Sequence, residues 1–169
     1  MHLAPSQVTN KIRLKTVGTI TLSRDVLIQA GLTNYDVMCI GSPGGQAGDA
    51  TGTSNRVIEF GAGGGGGGSV RVKGLIKDLP EFIVCSLGAA GTKGANVGNN
   101  TTAPNGGVGG NASFAGTIIA YGGKGATGGK ATVSGGFPQS STVSTGGAGG
   151  GNSLGLGAGG VGGHGEDYD

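Results

Sequence analysis

The chain has 169 residues, a formal net charge of +2 and 43 glycines, and only 35% of its residues are hydrophobic. The length suits one ordinary domain, although the hydrophobic fraction is low for one. The charge is too small and too scattered for a nucleic-acid-binding surface, and no stretch reaches the ~18 apolar residues of a membrane span. Only five prolines and irregular glycine clusters exclude collagen, which needs glycine at every third position.

The glycines are unevenly distributed along the chain. Residues 1–40 contain only Gly18 and Gly31, and the remaining glycines all fall in residues 41–169. A flexible linker is one interpretation of such a composition. The glycine blocks, however, alternate with short β-branched and aromatic runs, which are typical of buried strands. We therefore expect an ordered, strand-containing protein in three regions.

The first region, residues 1–34, precedes the glycine-rich part and is a possible attachment segment. In residues 10–25 apolar and polar side chains alternate on both sides of Gly18, which predicts two strands hinged there. The sequence RDVLIQA follows. It fits either a short helical turn that Ser23 caps and Gly31 ends, or a third strand.

The second region, residues 35–129, interleaves apolar runs with glycine blocks. The runs are VMCI at 37–40, SVRVK at 69–73, EFIVCSL at 81–87 and FAGTIIAY at 114–121. They predict an all-β fold with little or no α-helix: a small β-sandwich-like body with glycine-rich loops. The third region, residues 130–169, is a glycine-rich C-terminal segment with the acidic end EDYD.

A local period of three runs through the glycine blocks. It includes Gly122, Gly125 and Gly128 in one block, and Gly157, Gly160 and Gly163 in another. A left-handed extended helix with three residues per turn would then have one bare face, on which neighbouring backbones can hydrogen-bond directly. We interpret these blocks as polyglycine II-like segments and these six glycines as structural. Valine at Gly125 or Gly160 is expected to destabilise the assembly more than a substitution of Ser141.

The search for catalytic chemistry gives little. The G-x-G-x-x-G pattern at 123–128 and at 155–160 is expected by chance at this glycine content, and neither copy has the flanking elements of a dinucleotide site. A group of His164, Glu166, Asp167 and Asp169 could bind a cation, or could be a solvated acidic terminus. No serine or threonine lies beside a plausible base. We predict a protein that is not an enzyme and that uses no cofactor or metal.

Two further features concern the compartment. Cys39 and Cys85 lie among apolar residues, and we expect buried thiols in preference to a disulfide. The first 15 residues lack the apolar run of a signal peptide, which favours assembly in a cytoplasm. Residues 82–165 contain no acid and only three lysines, so this surface is expected to pack against other subunits. We predict a homo-oligomer, with a trimer favoured.

The order of four motifs resembles the glycine-rich domain of bacteriophage minor tail proteins and tail fibres. The motifs are DVMCIGSPGGQAG, FGAGGGGGGSVRVKGLIKDLP, FIVCSLGAAGTKG and NGGVGGNASFAGTIIAYGGKGATGG. The resemblance covers residues 36–129, and it departs from the family's pattern in GSPGGQAGDATGTSNRVIE and in SLGAAG. The segment from Gly146 is similar to the polyglycine II bundles of phage adhesins.

The resemblance implies a structural component of a virion tail, assembled in the host cytoplasm beside other tail proteins. It also implies a possible contact with a host receptor, without membrane insertion. A loop from Asn99 to Gly110, including Asn100 and Asn105, is a candidate for surface recognition and equally for a spacer. The alternatives are a bacterial cell-surface glycine-rich protein, similar to mycobacterial GGAGG arrays but without their helical N-terminal domain, and an ice-binding polyglycine II protein.

Overall fold

The computed structural model describes residues 12–51, 57–59, 61–98, 100–134, 137–142, 144–156 and 158–163. The prediction of an all-β fold is confirmed, because the described residues form ten strands and only one short α-helix. The elements are β1 (Gly18–Ser23), α1 (Arg24–Gln29), β2 (Asn34–Ile40), β3 (Ala50–Thr51), β4 (Val57–Glu59), β5 (Ser69–Leu75), β6 (Phe82–Leu87), β7 (Ala112–Phe114), β8 (Ile118–Ala120), β9 (Lys130–Ser134) and β10 (Phe137–Thr142). A 3-10 turn spans Ile76–Asp78.

The N-terminal region differs from the sequence prediction in one strand. Residues 12–17 form no strand, so the predicted pair hinged at Gly18 is reduced to β1 alone. Of the two alternatives for RDVLIQA, the structure has the helix, α1, which follows Ser23 without a side-chain cap. The helix ends at Gln29, and Gly31 follows its C-cap residue Ala30 with φ of 79°, a left-handed conformation that glycine adopts without steric cost.

Two antiparallel sheets and α1 form a β-rich end of the molecule, here called the cap (residues 18–40, 69–87 and 112–120). One sheet has the strand order β1-β6-β7-β8, and the other pairs β2 with β5. A single hydrophobic cluster joins them, with Cys39 and Val70 from the smaller sheet and Ile83 and Phe114 from the larger. Burial of these side chains between the sheets is the main apolar core of the described residues.

The run FAGTIIAY, predicted as one strand, is split in the structure. It contributes to β7 and β8, which pair as a hairpin in which Phe114 faces Ile118. The turn between them has φ of 53° at Ala115 and 72° at Gly116. Two successive left-handed residues reverse the chain, and Gly116 is the one of the two that adopts this conformation without steric cost.

Glycine-rich extended segments continue directly from the cap strands. The described residues contain seven: segment I (41–49), II (61–68), III (88–97), IV (102–111), V (121–129), VI (144–151) and VII (158–163). Segments I, III and V leave β2, β6 and β8, whereas II and IV lead back into β5 and β7. The seven segments run alternately away from the cap and back towards it, and together they form the bundle.

The far end of the bundle, opposite the cap, carries two small antiparallel pairs, β3–β4 and β9–β10. Strands of the two pairs contact each other there. Backbone bridges join Ala50 to Val97 and Thr102 to Lys130, which ties the turn between segments III and IV to the same end. The cap and the far end are therefore separated by the length of the bundle.

Backbone contacts cross both of the region boundaries drawn from the sequence. Strand β1, from region 1–34, pairs along its whole length with β6. Segments VI and VII, from region 130–169, hydrogen-bond to segments II and V. The described parts of all three regions thus belong to one connected hydrogen-bonded body.

Candidate functional site: a glycine bundle

The segments of the bundle are joined by backbone hydrogen bonds that repeat every three residues. In segment I, the N–H groups of Gly41, Gly44 and Ala47 donate to carbonyls of segment II over 2.8, 2.8 and 3.0 Å. The N–H groups of the residues that follow these three, Ser42, Gly45 and Gly48, donate to carbonyls of segment IV. The carbonyls of the residues after those, Pro43, Gln46 and Asp49, accept from N–H groups of segment III. This three-way pattern is the one expected of extended helices with three residues per turn packed side by side.

The hydrogen-bond partners place the segments in two layers. Segments III, I, II and VII lie side by side in layer A, and segments IV, V and VI lie side by side in layer B. Segments I and II each bond to four other segments, within and between the layers. The backbone groups of the bundle interior therefore pair with backbone groups of other segments, which meets the requirement that buried N–H and C=O groups be satisfied.

Close approach of the backbones explains the glycines at the inward positions. A Cβ added at Gly122, Gly125 or Gly128 would overlap the carbonyl of Gly109, Gly106 or Ala103 in segment IV. These three predicted structural glycines therefore face a neighbouring backbone. A small alanine cluster is the exception, because Ala47, Ala62 and Ala126 are buried together between segments I, II and V.

The other predicted triplet is placed differently. Gly160 and Gly163 lie in segment VII at the edge of layer A, and a Cβ at either position would meet no atom within 4 Å. The steric argument that assigned them a bare, packed face therefore does not apply to them. Within one chain, valine at Gly160 would therefore meet no neighbouring backbone, whereas valine at Gly125 would. Gly157 lies outside the described residues.

Asn105 was predicted to be part of a displayed loop, but it lies in segment IV. Its side-chain oxygen accepts a hydrogen bond from the N–H of Gly128 over 2.9 Å, and Asn111 accepts from Gly122 in the same way over 3.0 Å. Most of the predicted recognition loop is thus part of the bundle. Only the turn around Asn100, which has φ of 56°, is a loop, and Asn99 lies outside the described residues.

Side chains also close part of the outer surface of layer A. Asp49 accepts from the N–H of Gly61 over 2.8 Å, and the amide of Gln46 donates to the carbonyl of Gly61 over 2.9 Å. Burial raises the pKa of Asp49, but the Gly61 N–H and the Lys93 ammonium 3.1 Å away outweigh it, so the pKa is lowered. The carboxylate remains charged while it serves as a backbone acceptor.

Asn152 is a structural residue that the sequence analysis did not identify. Its buried side chain donates to the carbonyl of Ser69 over 2.8 Å and accepts from the N–H groups of Leu154 and Leu156. It thereby organises the turn between segments VI and VII and fastens that turn to β5. The sequence signal is the turn-forming cluster of Asn, Ser and Gly at 152–155.

The titratable groups of the cap form an ion-pair cluster and a pair of thiols. The hydrogen bond from Arg71 lowers the pKa of Asp36 to about 2, and Lys73 lies 3.2 Å from the same carboxylate. Cys39 and Cys85 are free thiols, and burial raises the pKa of both. The cap also has an apolar cavity of about 200 Å³ lined by Ile28, Leu32, Thr33, Leu75 and Lys77.

Within the described part of the chain, no group of three or more His, Cys, Asp and Glu side chains could hold a metal ion. The candidate cation ligands His164, Glu166, Asp167 and Asp169 lie outside that part. No helix among the described residues is both long and apolar enough to span a membrane.

Comparison with protein-family models, with curated proteins and with solved structures found no match to this chain.

Proposed function

We propose that the chain is a non-enzymatic structural protein of a bacteriophage virion, a minor tail, tail-tip or tail-fibre component. The cap joins it to other tail proteins, and the far end faces the host surface, where it contributes to adhesion. The supporting sequence observation is the ordered set of glycine-rich motifs that resembles the corresponding domain of phage tail proteins.

The structural observation that carries the proposal is the separation of two unlike ends by a backbone-bonded spacer. Nine residues of an extended helix at ~3.1 Å per residue give a spacer about 28 Å long. Exposed apolar side chains are frequent in the cap, including Val26, Met38 and Phe82, each about 60% exposed. Such a surface is typical of a site that is covered by another protein.

The far end carries an exposed polar turn. The turn around Asn100 is followed by two exposed threonines, Thr101 and Thr102. Polar loops held on a rigid scaffold are a common way to present a binding surface. This division supports an apolar attachment end and a polar recognition end. The first alternative is a bacterial cell-surface glycine-rich protein, in which the bundle would also act as a spacer. The second, more distant alternative is an ice-binding protein.

Immunogold labelling tests the proposal directly. Gold particles on phage tails support it, and gold on the envelopes of uninfected cells would assign the chain to the cell surface instead. Adhesion is tested separately with the purified chain. Thr102→Glu at the far end should reduce binding to host cells at least tenfold, whereas Thr21→Glu, an exposed threonine of the cap, should not. Equal binding by both variants would place adhesion elsewhere.

A further inference from the structure

Segment II has backbone groups that face out of layer A without a partner. Its interior residues donate to segments V and VII and accept from segments I and VI. The N–H and C=O groups of Gly64 and Gly67, in contrast, make no hydrogen bond to any described residue. Both residues are only partly buried, so the groups are open to solvent along one side of the segment. They are spaced by three residues, which is about 9 Å in an extended helix.

The N–H and C=O groups of Gly61, which lies three residues before Gly64, do have hydrogen-bond partners. At Gly61 the N–H donates to Asp49 and the C=O accepts from Gln46, both from segment I. At the level of Gly64, segment I offers Pro43, which has no side-chain donor or acceptor. The chain therefore closes this edge at one end of segment II and leaves it open over the next two turns.

Among the described residues, the open edge of segments II and VII is formed mainly by glycines, namely Gly63, Gly64, Gly66, Gly67, Gly160 and Gly163. The exposed side chains at its borders are small or apolar: Pro43 of segment I, and Ala158 and Val161 of segment VII. A Cβ at Gly66 would lie 3.2 Å from the Gly160 nitrogen, which shows that the two rows are adjacent. The outer face of layer B differs, because the exposed side chains of Tyr121 and Lys124 project from it. Among the described residues, the layer A edge therefore lets another backbone approach more closely than the outer face of layer B does.

We propose that this open edge, segments II and VII of layer A, is a self-association surface that pairs with the same edge of a second copy of the chain. Two observations select a second copy. The edge has both N–H donors and C=O acceptors, at Gly64 and Gly67, with the same three-residue spacing. It is therefore complementary to the same edge of a second copy. It also carries no charge, so two copies meet without like-charge repulsion. The contact would continue the hydrogen-bonding pattern that already joins the segments within one chain.

This inference does not depend on the proposed virion function. A surface that pairs with its own copy forms a two-fold interface and closes at two chains. A trimer, as expected from composition, would need a different surface. Two exposed apolar side chains would add contact at the margin of this surface. Leu156, just before segment VII, is 66% exposed, and Val161, within the segment, is 71% exposed.

Sedimentation velocity between 1 and 100 µM tests the proposal with two matched variants. Gly160→Glu and Gly151→Glu both add a side chain where a Cβ meets no atom within 4 Å, but Gly151 lies in layer B. The wild-type chain and the Gly151→Glu variant should sediment as dimers. The Gly160→Glu variant should sediment as a monomer, because its affinity for a second copy should be at least tenfold lower. Thermal unfolding of both variants, measured at a concentration below that of wild-type self-association, should stay close to that of the wild type.

Amide hydrogen exchange provides the second readout. The N–H groups of Gly64 and Gly67 should be protected in the dimer and should exchange at least tenfold faster in Gly160→Glu. A wild-type chain that remains monomeric at 100 µM would overturn the proposal. So would a Gly160→Glu dimer, which would indicate association through another surface such as the cap. Protection of these amides in a monomer would show that the chain covers its own edge.

Discussion

The side-chain oxygen of Asn105 accepts the backbone N–H of Gly128 from the neighbouring segment, and Asn111 does the same for Gly122. Asparagine thus takes the place that a further backbone segment would occupy on the outer face of layer B. Between them, three residues from each, lies Val108, which is 69% exposed. The corresponding N–H, that of Gly125, makes no hydrogen bond to any described residue.

Val108→Asn should therefore stabilise the protein. A new side-chain hydrogen bond to Gly125 would contribute about 1 kcal/mol, and the melting temperature would rise by about 2–4 °C. Thermal unfolding monitored by circular dichroism measures the change, with Val108→Ala as the control without an acceptor. A melting temperature equal in the two variants would mean that the asparagines do not act as backbone substitutes.

Gly125→Ala and Gly160→Ala should have opposite effects, although both glycines belong to the same sequence pattern. At Gly125 the new methyl group would overlap the Gly106 carbonyl and separate segments V and IV, at a cost of about 3 kcal/mol or more. At Gly160 the methyl group has free space, and reduced freedom of the unfolded chain should stabilise by about 0.5 kcal/mol. Urea unfolding curves of the two variants, recorded at a protein concentration below that of self-association, give both values for the single chain. Similar destabilisation of both would contradict the assigned packing.

Asn152→Ala should cost more than the loss of an exposed asparagine. The substitution removes a buried side chain that makes three part-buried hydrogen bonds, to the Ser69 carbonyl and to the N–H groups of Leu154 and Leu156, and should cost about 2 kcal/mol. Asn96→Ala, which removes one exposed hydrogen bond to Asp49, is the control and should cost less than about 1 kcal/mol. The free energies of unfolding of the two variants, from urea titration, test this. If both variants lost the same stability, Asn152 would not be the residue that holds the turn between segments VI and VII.

Stability should fall in acid partly because of Asp36. Its pKa is lowered to about 2 in the folded protein from an ordinary value of 3.8, so the folded state binds fewer protons than the unfolded state between these values. The contribution is present above pH 4 and is lost as the pH falls towards 2. Asp36→Asn should flatten the dependence of melting temperature on pH in this window. Arg71→Gln should do the same, and an unchanged acid slope in both would exclude the ion pair as its source.

Several features followed from the amino-acid sequence because they depend on local pattern. Alternating apolar residues predicted β2, β5 and β6. The helix alternative for RDVLIQA ends before Gly31, which has the positive φ that glycine readily adopts after a helix. The three-residue glycine period predicted bare faces in close contact, and in the structure a Cβ at Gly122, Gly125 or Gly128 would overlap a neighbouring carbonyl. These signals need only the neighbouring residues in the chain.

The arrangement of the segments depended on the tertiary structure. Every glycine segment carries nearly the same repeat, so the repeat by itself specifies neither partner nor register. The cap strands place each segment, since β2, β6 and β8 set where segments I, III and V begin. Position in the bundle then makes Gly125 an inward residue and Gly160 an edge residue despite equivalent local patterns. A glycine has no side chain with which to encode that difference, and only the surrounding backbones decide it.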